Sequence, residues 1–498
     1  MIRLNTSSLD CLWGYIHVQA YGLLWTCLQG KQEIQYSGYR RKRMGFLDDN
    51  YLLSSKTARN IFKKISDLPI IDPHNHADVK EIKENKNYPS PWQLFAATDH
   101  YVWSVLRKCG VDERYITGEA PPLEKWMKMA EVFPLIAGNP VYEWVHLDLK
   151  RHFGIEETLC EKTGKKIWDA ISEKLALPEN KPQEILKRIG VEVMCSTDDP
   201  VDILDNHTTV NQMMGRTIVR PTWRPDRIMK ITAPNWREYL SKLECRFGSR
   251  CYSIKDLVEI LKISHNYFAE NGCRVSDHGV EVPYPAVTEE KDADRVFKKA
   301  IQGEAISPDE AYLFSDYLFG VMGELDAEKG WVFQLHIGAV RDTRKLLFER
   351  IGPDSGGDVS SHFLDILPPL VSFLNRFDSR LKVVLYCLDF SHQQTLATIS
   401  RAFGQNIRLG AAWWFLDTPY SMKRQLHLIG TINLLSAFAG MVSDSRKILS
   451  YGSRFEMFRR VLSDVLGDMV EKGQMPEKVA EELAYRLSYK NPKEFFNL

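Results

Sequence analysis

The sequence predicts an α/β protein: a distorted (β/α)8, TIM-like barrel with a helical insertion after its first strand. Three observations carry that expectation. Eight short, β-branched apolar runs are spread along the chain. Amphipathic helical patterns separate them, the signature of parallel strands joined by helical crossovers. The long stretch between the first and second runs reads as helices closed by glycine or broken by proline, not as bare loop. A doubly wound open sheet is the alternative, but no GxGxxG follows the first run, which weakens a dinucleotide-binding fold.

The runs are LPIIDPH (68–74), VEVMCST (191–197), TIVRPTW (217–223), GCRVSDH (272–278), WVFQLHI (331–337), KVVLYCL (382–388), IRLGAA (407–412) and GMVSD (440–444). Segments such as SIKDLVEILKISHNYFAENG and DEAYLFSDYLFGVMGELDAEKG supply the helices between them. Residues 85–190 form the expected insertion, which in a barrel projects over the catalytic face. The C-terminal GQMPEKVAEELAYRLSYKNPKEFFNL reads as a final helix pair. The barrel is expected over 44–498. Residues 1–43, rich in Trp, Tyr and Cys and ending in GYRRKR, read as an N-terminal extension outside the native fold, with Met44 as the natural start.

Composition excludes several classes of function. Lys+Arg and Asp+Glu are equal at 65 each, so there is no electrostatic footprint for nucleic acid or an anionic membrane. No apolar run is long enough for a transmembrane helix. The nine cysteines are odd in number and scattered, with no CxxC. That pattern fits reduced thiols in a cytoplasmic protein. Cys245 and Cys251 flank RFGSR and could pair, but free thiols are the expectation. A small molecule is the default partner.

The chemistry gathers at the strand ends. His74 and His76 follow the first apolar run, and alternation along an extended chain points both the same way. Neutral imidazole is the commonest nitrogen ligand for zinc-like metals. An isolated HxH is more often a pair of ordinary histidines. Here His336 ends the fifth run, Asp444 and Arg446 end the eighth, and Asp277 and His278 end the fourth. A barrel brings its C-terminal strand ends to one place. Imidazoles plus a carboxylate suit Zn²⁺, Mn²⁺ or Fe²⁺ better than Mg²⁺ or Ca²⁺. Arg224 and Arg227 end the third run, and with Arg446 they are candidate carboxylate clamps. Each alone could equally be a structural ion pair. His100 and Tyr101, in ATDHYVW, are an acid/base-capable pair at an expected helix start, with a buried aromatic patch as the plainer reading. PDSGGDVSS (353–361) reads as a glycine-rich turn that caps the next helix through Asp358 or a nearby serine. It is a weak phosphate cradle, since no GK[ST] follows.

Taken in order, LPIIDPHNHAD, ATDHYVW, TWRPDR, SDH, LHIGA, GPDSGGD, AWWF and MVSDSRKILSYGSR resemble the uronate (glucuronate) isomerase family of amidohydrolase-type metal-dependent barrels. The resemblance runs from Met44 almost to the C-terminus. It implies an aldose–ketose isomerase that converts D-glucuronate to D-fructuronate and D-galacturonate to D-tagaturonate in hexuronate catabolism. It implies that His74, His76 and Asp444 hold one divalent metal, Zn or else Mn or Fe, with His336 as a further ligand or a substrate contact. It matches His100, Tyr101, Arg224, Asp277, Trp413 and Arg446 to substrate-site motifs, and the catalytic candidates are Asp444, Tyr101 and His336. A homo-oligomer is also expected.

The expected chemistry is a proton moved between C2 and C1. The developing enediolate needs a Lewis acid or a nearby cation. Asp444 is the expected base for ring opening. Tyr101 is the expected proton shuttle, on the condition that neighbouring cations depress its pKa. The fourth run, GCRVSDHG, contains no Lys of the kind that bridges two metals, so a single metal is expected. Two other readings share the same fold: a mononuclear metal hydrolase acting on lactones or amides, and a sugar-acid binding protein that leaves the C2 proton in place.

Overall fold

Seven parallel strands and one irregular segment surround the site. The computed structural model describes residues 45–498, so the expectation for 1–43 lies outside the described residues. The strands are β1 (Ile70–Asp72), β2 (Val191–Cys195), β3 (Ile218–Arg220), β4 (Val275–Val280), β5 (Val332–Ile337), β6 (Lys382–Cys387) and β7 (Ile407–Leu409). They pair in chain order as β1–β2–β3 and β4–β5–β6–β7, all parallel. Trp223 joins the two groups, bridging to Asp198 on one side and to Ser276 on the other.

The eighth expected run forms no regular strand, yet it closes the ring. The Ala439 N–H donates to the Leu409 carbonyl at 2.9 Å, beyond β7. On the other side the Asp444 N–H donates to the His74 carbonyl at 3.1 Å, and the His76 N–H donates to the Ser445 carbonyl at 2.9 Å. Ser443 adds its N–H and its hydroxyl to the Asp72 carboxylate, at 2.9 and 2.5 Å. The physical reason for the irregularity is in the backbone. Gly440 (φ 121°) and Asp444 (φ 48°) both leave the extended region, so no ladder can run through them.

The insertion is helical as expected, with helices at Pro91–Phe95, His100–Lys108, Pro122–Val132, Pro140–Phe153, Glu161–Leu175 and Pro182–Ile189. Glycines 154 and 190 end the fourth and sixth of these in the left-handed conformation. The helix Pro140–Phe153 packs on the long helix Ser450–Glu471, where Arg151 pairs with Glu456 at 2.7 Å. That long helix is buried along nearly its whole length, against Lys56–Ile65, Pro419–Ile432 and Glu477–Tyr485. The C-terminus ends in Glu477–Tyr485 and Asn491–Phe495, joined by a π-helical turn.

Among the described residues, no helix is long and apolar enough to cross a membrane. The seven described cysteines, Cys245 and Cys251 included, are all free. The expectation for 353–361 is corrected. The helix Leu367–Arg376 begins without a side-chain cap. Asp358 instead accepts the Asp342 N–H at 2.8 Å, across a short hairpin that pairs Ala339–Val340 with Val359–Ser360.

Candidate active site

Strand register decides which side chains meet inside the barrel. Asp277 on β4 lies beside Gln334 on β5, and one step on, Gly279, His336 and Tyr386 are neighbours on β4, β5 and β6. Parallel neighbours in register face the same way, so these residues share the interior. Tyr386 stacks on His336 with ring centroids 4.3 Å apart and planes 4° apart. Its hydroxyl donates to Gln334 at 2.9 Å. Gly410 makes room for that ring, since a Cβ there would come within 2.0 Å of it.

The next residue on β4, His278, faces the opposite way. It stacks on Phe333 at 3.8 Å and contacts the Ser276 hydroxyl at 2.9 Å, outside the barrel interior. Of the two arginines after β3, only Arg224 reaches the site. Arg227 lies over Tyr239 and pairs with Asp199 at the surface, at 3.4 Å. Arg224 donates to Asp226 at 2.9 Å and pairs with Asp277 at 3.0 Å.

Asp444 is the hub. Its Oδ1 lies 3.3 Å from His74 Nε2 and 3.2 Å from His76 Nε2. Its Oδ2 accepts the Tyr101 hydroxyl at 2.9 Å and the Trp413 indole N–H at 3.1 Å. The carboxylate is almost fully buried, and its residue sits in the left-handed region (φ 48°). A non-glycine residue held there stores strain that the surrounding packing must maintain. Burial alone would raise its pKa, but His74 and His76 outweigh burial and hold it well below the usual carboxylate range.

A second carboxylate orients a second imidazole. Asp277 Oδ1 accepts from His336 Nδ1 at 2.7 Å, and Asp277 Oδ2 lies 3.7 Å from His74 Nδ1. That bond leaves Nε2 of His336 buried and without a hydrogen-bond partner. Burial pushes His336 and His76 each down to about 4, so both are neutral and free to act as ligands. Asp277 is drawn well down against its burial, by Arg224 first and then by His74 and His336.

The donor set fits a metal. One ligand atom from each of His74, His76 and Asp444 lies within 4.8 Å of the others, and His74, Asp277 and His336 form a second such trio. An orphaned, buried imidazole nitrogen costs free energy unless something occupies its lone pair. Nitrogen and carboxylate ligands together favour a zinc-like ion over calcium. The structure therefore brings His336 beside the His74–His76–Asp444 group, through the second trio.

His100 and Tyr101 open a helix, as expected, with Asp99 as its cap accepting the Tyr101 N–H at 2.9 Å. Burial, followed by the Arg446 charge, pushes His100 down to about 4. Tyr101 is buried at its hydroxyl, beside Asp444. Burial and the Asp444 charge raise its phenol well above the usual value, while the Arg454 charge pulls the other way. Arg454, fully buried, lies 4.6 Å from the Tyr101 ring and 4.0 Å from that of Trp144, and pairs with Asp417 at 2.7 Å. Sequence reasoning missed Arg454, Tyr386 and Arg341. Only Tyr386 had a usable signal, its register position beside His336.

Arg446 stands at the mouth. It lines a cavity of about 460 Å³ with Trp103, Thr117, Pro353, Asp354 and Ser355.

A family model described as glucuronate isomerase matches residues 44–496. The chain belongs to the glucuronate isomerase family. It is an isomerase, of a family that interconverts uronates. The uronate isomerase of Thermotoga maritima is 47% identical over 451 residues, covering 91% of this chain and 99% of that protein. The crystal structure of the Thermotoga maritima uronate isomerase superposes with a TM-score of 0.89 over 91% of this chain and 100% of that one. That of the Caulobacter crescentus glucuronate isomerase does so with a TM-score of 0.86 at 26% identity, covering 91% and 97%. The barrel with its insertion is thus the fold of solved glucuronate isomerase family members.

Proposed function

We propose that this chain converts D-glucuronate to D-fructuronate and D-galacturonate to D-tagaturonate by moving a proton from C2 to C1. One observation carries the reading: a single carboxylate, Asp444, has one oxygen facing two histidines and the other receiving a phenol and an indole. One oxygen is thereby committed to a cation and the other to protons.

His74, His76 and Asp444 would hold one divalent metal, Zn²⁺ or else Mn²⁺ or Fe²⁺, with His336 as a further ligand or a substrate contact. When bound, the ion supplies Lewis-acid stabilisation of negative charge on a sugar oxygen.

The chain's own residues do the rest. Asp444 Oδ2 takes the proton of the anomeric hydroxyl as the ring opens. Tyr101 then carries the proton between C2 and C1. For that it must first release its own proton, which burial and the Asp444 charge oppose. The Arg454 guanidinium against its ring works in the opposite direction. His100, as a neutral imidazole, and Arg446 recognise the C6 carboxylate. Trp413 keeps Asp444 Oδ2 oriented, and the Asp277–Arg224 pair keeps His336 in one tautomer. The reading includes a homo-oligomer in the cytoplasm, which light scattering and cell fractionation test.

The deciding experiment is proton NMR of D-glucuronate with purified protein in D₂O, with bound metal assayed in parallel. Ketose with deuterium at C1 supports proton transfer through an exchanging group. Ketose without deuterium points to a shielded transfer or a hydride shift. No ketose from glucuronate or galacturonate, with metal bound, overturns the reading.

A further inference from the structure

Arg446 and Arg341 share one loosely held carboxylate at the mouth of the site. Asp354 Oδ1 lies 4.0 Å from Arg446 Nη2 and 3.5 Å from Arg341 Nη1, and neither approach is a hydrogen bond. Among the described residues Arg446 has no better partner, and its Nε is buried without one. Arg341 differs: Asp358 at 3.2 Å and the Trp414 ring at 5.0 Å hold it in place. The weak contact is therefore the one to Asp354, whose side chain stays 59% exposed. The cationic surroundings still prevail over the desolvation of that carboxyl and hold it below its usual value, with Arg446 foremost and Arg341 next.

The segment that carries Asp354 is an irregular turn tethered to the His100 helix. Asp354 itself (φ 57°), Gly352 and Gly356 all have positive φ. The next residue, Ser355, accepts a hydrogen bond at its carbonyl from Arg107, on the His100 helix. A Cβ at Gly356 would come within 3.3 Å of the His100 carbonyl, so the turn lies against the residue proposed to read the substrate's carboxylate. Asp354 and Arg446 line the same cavity of about 460 Å³, a size that accommodates a sugar acid.

We propose that Asp354 is a built-in stand-in for the substrate's carboxylate: it occupies the Arg446–Arg341 cation pair between turnovers and gives way when a uronate arrives. This rests on the proposed uronate reaction and deepens it. A uronate replaces one carboxylate by another, so both guanidiniums stay compensated. A neutral sugar either meets the occupied pair or leaves Arg446 without a counter-charge. Asp354 thereby excludes neutral aldoses, and Arg446 recognises acids.

Asp354→Asn tests this with little risk to the fold, because asparagine tolerates the left-handed conformation. KM for D-glucuronate should fall about fivefold without a matching loss of kcat, as expected when a competing surface ion pair is removed. Asp354→Gly should do the same. An unchanged KM shows that Asp354 does not compete, and a raised KM shows that it contacts substrate; either overturns the proposal. Absence of ketose formation by the unaltered protein would instead overturn the reaction itself, so the two failures are distinguishable.

Discussion

Asp277 holds His336 by its Nδ1 at 2.7 Å, and in doing so aims the imidazole's other nitrogen into the site. The bond chooses the tautomer: Nδ1 carries the proton and Nε2 offers a lone pair. Asp277→Asn keeps the shape but donates where the aspartate accepts. Turnover should drop on the order of 10- to 100-fold. Bound metal per chain, measured by atomic emission, should fall with it if His336 is a ligand and stay constant if His336 contacts only substrate.

Asp444→Asn leaves the barrel closure intact, because that uses the backbone N–H of residue 444. Turnover should fall roughly 10²- to 10⁴-fold, the usual weight of a general acid–base group. Circular dichroism should show the fold retained. Near-normal turnover would remove Asp444 from the chemistry.

Arg446→Met keeps the unbranched apolar stem of the side chain and removes its charge. KM for uronates should rise about 10- to 100-fold, as for a lost charge-assisted contact. Inhibition by the matching neutral sugars should not weaken. An equal loss for both would count against a carboxylate clamp at this residue.

Asp148 gives a pH signature of stability outside the His74–His76–Asp444 group. It is 1% exposed within Pro140–Phe153, and burial pushes its pKa up to about 7 against the pull of Lys447. The unfolded value is about 3.9, so the native state binds the extra proton. Stability tied to that proton is present at low pH and declines as pH rises from about 4 to about 7. Asp148→Asn should flatten that decline and raise the melting temperature most at pH 8. Thermal melts of both proteins across pH 5–8 check it; parallel curves would refute the assignment.

Much of this could be read from the residues, for reasons that differ by element. The interior strands are apolar on both faces, so they stand out as β-branched runs. The insertion's helices carry their own punctuation in Gly154, Gly190 and the prolines at first-turn positions. His74, His76 and Asp444 were legible because a barrel gathers its strand ends. The eighth run was misread because its positive-φ residues, Gly440 and Asp444, leave no mark in apolar spacing. His278 and Arg227 were drawn in by proximity in sequence, and strand parity sends His278 outward. Arg341 and Asp354 lie on irregular backbone, where no period reports direction. Arg454 sits in a helix buried on nearly all sides, and its role depends on what surrounds it.

The closing segment also sets an order of events. Ser443 and Asp72, which clasp at 2.5 Å, are 371 residues apart in the chain. During translation His74 and His76 emerge early and wait, with no carboxylate to complete their group, until almost the whole polypeptide has left the ribosome. The two imidazoles therefore gain their shared carboxylate only when the ring shuts. Completed closure is therefore a precondition for the site: a chain that stalls or misfolds before Asp444 docks beside His74 cannot assemble the His74–His76–Asp444 group.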